Sequence, residues 1–205
     1  MSYTLYLSFR QAYFMKSYQI QYQRIFFIFI LLTGGGWIWF SRVPSDSTSS
    51  ERIAAPQESF SAPDFNLATP SGDEITLSDL LGYPVIINFW ASWCPPCRAE
   101  MPAFQQVYEE YQDRGLIITA VNATNQDSIS DAVDFAATNH LTFPILLDYS
   151  GSASRSYNLH SLPTTVFVDR EGVIQKIIVG GPIPAPLIRV ELEKLLQDIP
   201  DVSNN

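Results

Sequence analysis

Two cysteines stand three residues apart at the end of an apolar run, and that junction limits what the chain can become. Val85-Ile86-Ile87-Asn88-Phe89-Trp90 reads as a strand covered on both faces. Trp93-Cys94-Pro95-Pro96-Cys97 follows almost at once and opens a helical stretch. At a helix N-terminus the free amides and the macrodipole favour an anion, so a Cys94 thiolate is stabilised there. The two-residue spacer lets the sulfurs meet across one turn, so Cys97 can displace a mixed disulfide formed at Cys94. Pro95 and Pro96 stiffen the first turn, where a missing amide does no harm. Pro102 falls in the helix interior and is expected to kink it.

Three other uses of the pair fare worse. Half a zinc site needs two more ligands, and His140 and His160 are single and at no ligand spacing. A purely structural disulfide closes a very short loop for little gain in chain entropy. Two unrelated buried thiols do not account for the spacing. Redox exchange is the chemistry this arrangement favours, with no metal and no cofactor beyond the Cys94–Cys97 disulfide itself.

Around the pair the chain alternates strand and helix. Phe65-Asn66-Leu67 and Ile75-Thr76-Leu77 flank the turn signal Pro70-Ser71-Gly72-Asp73, a β-hairpin pattern. Ser78–Leu81 reads as a helical turn ended by Gly82. Helical stretches are predicted over 95–113, 128–139, 152–158 and 185–198, and strands over 116–121, 144–147, 164–168 and 173–179. Such alternation implies a mainly parallel sheet with helices on both faces. Only Arg170-Glu171-Gly172 separates the last two strands, so these pair antiparallel. The expected fold is α/β with a mixed sheet, an N-terminal β-hairpin extension and a central insertion.

Charge divides the chain. Residues 1–42 hold Arg10, Lys16, Arg24 and Arg42 with no acid, whereas the remainder has 8 basic and 21 acidic residues. A fold that acidic lacks the basic face a nucleic-acid binder needs. Residues 25–40 are uncharged and apolar; as a helix they span ~24 Å against a hydrocarbon core of ~30 Å, with Trp37, Trp39, Phe40 and Tyr22 as interfacial residues. Ser41-Arg42-Val43-Pro44 is no small-x-small cleavage site, so an uncleaved signal anchor is expected rather than a cleaved signal peptide. The positive-inside rule keeps residues 1–24 in the cytoplasm and exports the rest. Residues 41–59, rich in Ser and Pro, read as a flexible linker, 60–199 as the folded domain and 200–205 as a tail.

The string from Asn88 to Pro102, NFWASWCPPCRAEMP, resembles the thioredoxin superfamily, and within it the membrane-anchored TlpA/ResA-like thiol–disulfide oxidoreductases. The likeness extends over Ala62-Pro63-Asp64-Phe65, Leu77-Ser78-Asp79-Leu80, Ala120-Val121-Asn122, Phe143-Pro144, Leu162-Pro163-Thr164-Thr165 and Asp169-Arg170-Glu171-Gly172, most of residues 60–198. The resemblance implies that Pro163 is cis and faces the cysteines, with the backbone of Leu162 beside Cys94 to pair with an extended substrate. It implies a thioredoxin-like fold, and Trp93, Pro95 and Pro96 as further substrate contacts. Asn88 takes the place of the buried carboxylate that thioredoxin keeps beneath its cysteines. Glu100 matches a carboxylate of ResA-like proteins that tunes the pair or relays a proton; a solvated helix-surface Glu is the competing reading. His160 is expected either to border the site or to sit in a solvated loop, and His140 to be structural.

What the resemblance implies for function is a membrane-tethered reductase of protein disulfides, recharged by a membrane thiol donor of the CcdA/DsbD type. Its clients would include apocytochrome c. The Gly-x-x-Gly-x-Pro-Glu pattern of dedicated cytochrome maturation proteins of the CcmG type is replaced here by Asn158-Leu159-His160-Ser161-Leu162-Pro163-Thr164. A thiol oxidant, a peroxiredoxin-like peroxidase and a non-catalytic membrane-anchored binding module are the competing functions.

Overall fold

The run Val85–Trp90 forms β3, and every residue in it is buried. Its β-branched first half suits a pleated strand packed on both sides. In the computed structural model, which describes residues 54–197, β3 lies inside a seven-stranded sheet of order β2-β1-β5-β4-β3-β6-β7. The other strands are β1 (Asn66–Ala68), β2 (Glu74–Thr76), β4 (Ile117–Asn122), β5 (Ile145–Leu147), β6 (Thr164–Val168) and β7 (Ile174–Val179). Helices α1 (Pro95–Tyr111), α2 (Ile129–Thr138) and α3 (Ser152–Ser156) fill the connections after β3, β4 and β5, and α4 (Ala185–Gln197) follows β7. Strands β3, β4 and β5 run parallel, joined by α1 and α2, while β6 pairs antiparallel with β3 and β7 antiparallel with β6 at the sheet edge. The sheet is therefore mixed.

Pleating divides β3 between two cores. Ile86 and Trp90 face Met101, Phe104 and Val107 of α1, Phe135 of α2, and Ile188 and Leu192 of α4. Val85, Ile87 and Phe89 face Phe65, Leu67, Leu77 and Tyr157 on the other side. Helix α3 and the N-terminal segments close that second face. Asn88 shares the α1 side with Ile86 and Trp90 because strand side chains alternate.

Local signals mark the boundaries. The Pro70–Asp73 turn joins β1 to β2, whose register pairs Leu67 with Ile75. A 3-10 turn, Leu77–Leu80, follows β2, and Gly82 ends it at φ 93°, a conformation that favours glycine. Helix α1 runs unbroken through Pro102, which is exposed. Residues 1–53, with the expected cytoplasmic segment, anchor and most of the linker, lie outside the described residues, as does the tail. No helix among the described residues is long and apolar enough to cross a membrane.

Candidate active site

Cys94 is the N-cap of α1, with extended backbone angles (φ −86°, ψ 108°), and prolines occupy the first two helical positions. Pro95 and Pro96 supply pre-set φ angles where the helix needs no amide donor. Cys94 and Cys97 form a disulfide with Cα atoms 5.3 Å apart. Their exposures differ in a way that matters: Cys94 is 3% exposed and Cys97 is 0%. Of the two residues, only Cys94, at the helix N-terminus, keeps any exposed surface.

The loop that presents Cys94 is braced from β4 and the segment after it. Asp127 accepts hydrogen bonds from the Ser92 amide (2.6 Å), the Ser92 hydroxyl (2.6 Å) and Asn122 Nδ2 (2.7 Å). Burial opposes ionisation of Asp127, but these donors and the Ser128 amide outweigh it and hold its carboxyl below the usual carboxylate range. Arg98 donates to the Ser92 carbonyl and lies over the Phe135 ring, 4.6 Å from its centre. Trp93 is 55% exposed, yet its Nε1 donates to the Gln126 carbonyl at 2.9 Å. An aromatic face is thus held fixed at the rim, while Trp90 is fully buried in the core. Asp127 and Gln126 belong to no motif; their partners Ser92 and Trp93 lie 35 and 33 residues away in sequence.

Beside the pair stands Glu100, one turn beyond Cys97 on the same helix face. It is fully buried, which corrects the reading of a solvated surface residue. Its Oε1 accepts from Asn88 Nδ2 at 2.8 Å and its Oε2 from the Ile183 amide at 3.0 Å. Burial raises its pKa to about 7, and those two hydrogen bonds limit the rise. Asn88 also donates to Thr165 Oγ1 at 3.0 Å, while its own Oδ1 is buried without a partner. The acid near the cysteines is thus delivered by α1, and β3 contributes the amide that holds it.

The Leu162–Pro163 bond is cis. Leu162 packs against the cluster that contains both cysteines and, with Trp93, Gln126, Ser154, Leu159 and His160, lines a groove of about 390 Å³. His160 is exposed and borders that groove, so both halves of its reading apply. His140 is also exposed, at the end of α2 with φ 53°. Among the described residues no three His, Cys, Asp or Glu gather in a way that could hold a metal ion.

This geometry has clear relatives. Residues 60–177 match the AhpC/TSA family. The chain belongs to that family. It is 44% identical over 155 residues to the thioredoxin-like protein YneN of Bacillus subtilis, covering 75% of this chain and 86% of that one. To the thiol-disulfide oxidoreductase ResA of Geobacillus kaustophilus it is 33% identical over 185 residues, 90% of this chain and 99% of the other. A crystal structure of a putative thiol:disulfide interchange protein DsbE from Chlorobium tepidum superposes with a TM-score of 0.60 at 33% identity, covering 69% and 96% of the two chains. The fold is thioredoxin-like, and the protein is a thiol–disulfide oxidoreductase of the ResA type whose substrates are disulfide-containing proteins.

Proposed function

We propose that the chain is a membrane-tethered, extracytoplasmic reductase of protein disulfides. The observation that carries this reading is the unequal pair: Cys94 at the helix N-terminus keeps some exposed surface, and Cys97, one turn inside, has none. In the reduced enzyme the Cys94 thiolate attacks a client disulfide, and a Cys94–client bond forms as one client thiolate leaves. The Cys97 thiolate then attacks Cys94 Sγ, the Cys94–Cys97 bond closes, and the second client thiolate departs. Two electrons pass to the client, whose thiolates take up two protons. Glu100, poised near neutrality, is the group placed to accept the Cys97 proton. Trp93, Pro95, Pro96, Leu162 and Pro163 make the surface the client meets. No cofactor enters the cycle.

The apolar run 25–40 and the charge asymmetry across it support tethering with the folded part outside. Recharging then falls to a membrane thiol donor of the CcdA/DsbD type, and apocytochrome c, whose haem-attachment cysteines must be reduced, is the client class tested first. Full-length protein in detergent should reduce insulin disulfides with dithiothreitol, and Cys94→Ala should abolish the acceleration. Equal rates for the two would end the enzymatic reading in favour of a binding module. A reduction potential near the ~−120 mV of a strong oxidant would reverse the proposed direction. The family match raises a peroxidase as the second reading. The chain's two cysteines are both in the pair, leaving no separate peroxidatic thiol. Consumption of hydrogen peroxide at the rate of insulin reduction would restore that reading. Cys97→Ala should freeze the mixed disulfide at Cys94 and so identify clients in membrane extracts.

A further inference from the structure

Two adjacent glycines follow β7, and they are glycines for different reasons. Gly180 has φ 87°, where a side chain is strained. Gly181 lies outside that left-handed region, and its peptide bond to Pro182 is cis. What it lacks is room. A Cβ at 181 would overlap Glu100 Oε2 and lie 2.7 Å from Pro163 Cγ.

We infer that Gly181 is a positioning residue for Glu100: the segment after β7 is a cradle for the carboxylate, and only a residue without a side chain at 181 leaves Oε2 its place beside Pro163. The inference rests on the proton-accepting role given to Glu100. Two backbone hydrogen bonds build the cradle. The Gly180 amide donates to the Pro163 carbonyl at 2.8 Å, tying the segment to the strand that begins at Thr164. The Ile183 amide donates to Glu100 Oε2 at 3.0 Å. Pro163 and Glu100 are both buried, and a proline ring has few ways to yield. The carboxylate tip must yield instead. Asn88, itself tied to Thr165, holds the other oxygen, so a methyl group at 181 forces Oε2 off the Ile183 amide. Among the described residues no charged group forms an ion pair with Glu100. Its titratable neighbour is Cys97, one turn back on the helix. A displaced carboxylate therefore alters the proton traffic of the pair while the sulfurs stay in place.

The test uses full-length protein in detergent and four variants: Gly181→Ala, Glu100→Ala, the double variant, and Glu100→Gln. Gly181→Ala should lower the thermal midpoint by roughly 3–10 °C, the range expected for overpacking in a domain of this size. Removing Glu100 in that background should recover most of the loss, far beyond any effect of Glu100→Ala alone. Should Gly181→Ala fail to fold, recovery of folding in the double variant supports the cradle, and failure to recover overturns it. The pH profile of thiol alkylation in the reduced pair gives the functional readout. Its inflection near neutrality should vanish in Glu100→Gln and move by roughly half a pH unit or more in Gly181→Ala, the loss of about one hydrogen bond. Additive midpoints overturn the proposal, as does a Gly181→Ala profile that superposes on wild type while Glu100→Gln departs from it. A Glu100→Gln profile identical to wild type removes the proton-accepting role itself, and the stability cycle then decides the placement alone.

Discussion

Glu100 shows what a single residue does when a helix carries it into the core. Its folded pKa, about 7, lies above the ordinary 4.5, so between those values the folded state binds more protons than the unfolded one. Stability contributed by the neutral form is complete below about pH 4.5 and is lost as the pH rises toward 7, a swing of roughly 3 kcal/mol. Glu100→Gln should flatten that slope in urea titrations at pH 5 and pH 8. The amide can turn its NH₂ toward Asn88 Oδ1, which has no partner in the wild type, so the variant should match or exceed wild-type stability at pH 8. A slope unchanged by the substitution would show that Glu100 does not titrate in this range. The site was unevenly legible at this scale. Cys94, Cys97, Trp93 and Pro163 stood in the sequence because the chemistry confines them to a short motif and a Pro-Thr-Thr stretch. The spacing from Cys97 placed Glu100 on the right helix face. What it could not supply was the lid: Ile183 and Gly181 arrive some 80 residues later.

At the level of elements, strands and helices fell within a residue or two of where periodicity puts them, because β3, β4 and β6 are mostly apolar and the turns carry Gly, Pro or Asp. The brace between the Ser92 loop and the segment after β4 was invisible for the opposite reason. Asp127 looks like an ordinary acid ahead of a helix whose N-cap is Ser128, and nothing local reports that it holds a loop from another crossover. Asp127→Ala leaves the Ser92 amide and Asn122 Nδ2 short of a partner and should lose about 2–4 kcal/mol of stability. The folded carboxyl ionises below its ordinary range, so this loss should be full at pH 7 and shrink only as the pH falls below about 4. With Trp93 and Cys94 less firmly aimed, kcat/KM for insulin should drop roughly tenfold, or ~1.4 kcal/mol. A stable, fully active Asp127→Ala would remove the brace from the account.

Over the whole molecule, the N-terminal strap and the cysteines sit at opposite ends of the sheet. The N-terminal strap runs along the start of β7, where the Ser59 amide donates to the Ile174 carbonyl and the Ile174 amide to that of Phe60. The cysteines lie past the other end of β3, beside the start of β6. A fragment beginning at Ala62 should therefore be about 1–3 kcal/mol less stable than one beginning at Ala54, with an unchanged rate of thiol alkylation. A change in that rate would show that the two ends communicate.

The near-complete enclosure of the pair has a kinetic corollary. With only one residue of the pair keeping any exposed surface, whatever delivers electrons and whatever receives them must pass through one doorway, in turn. Turnover should follow double-displacement kinetics, with parallel lines in reciprocal plots, and a surplus of either visitor should shut out the other.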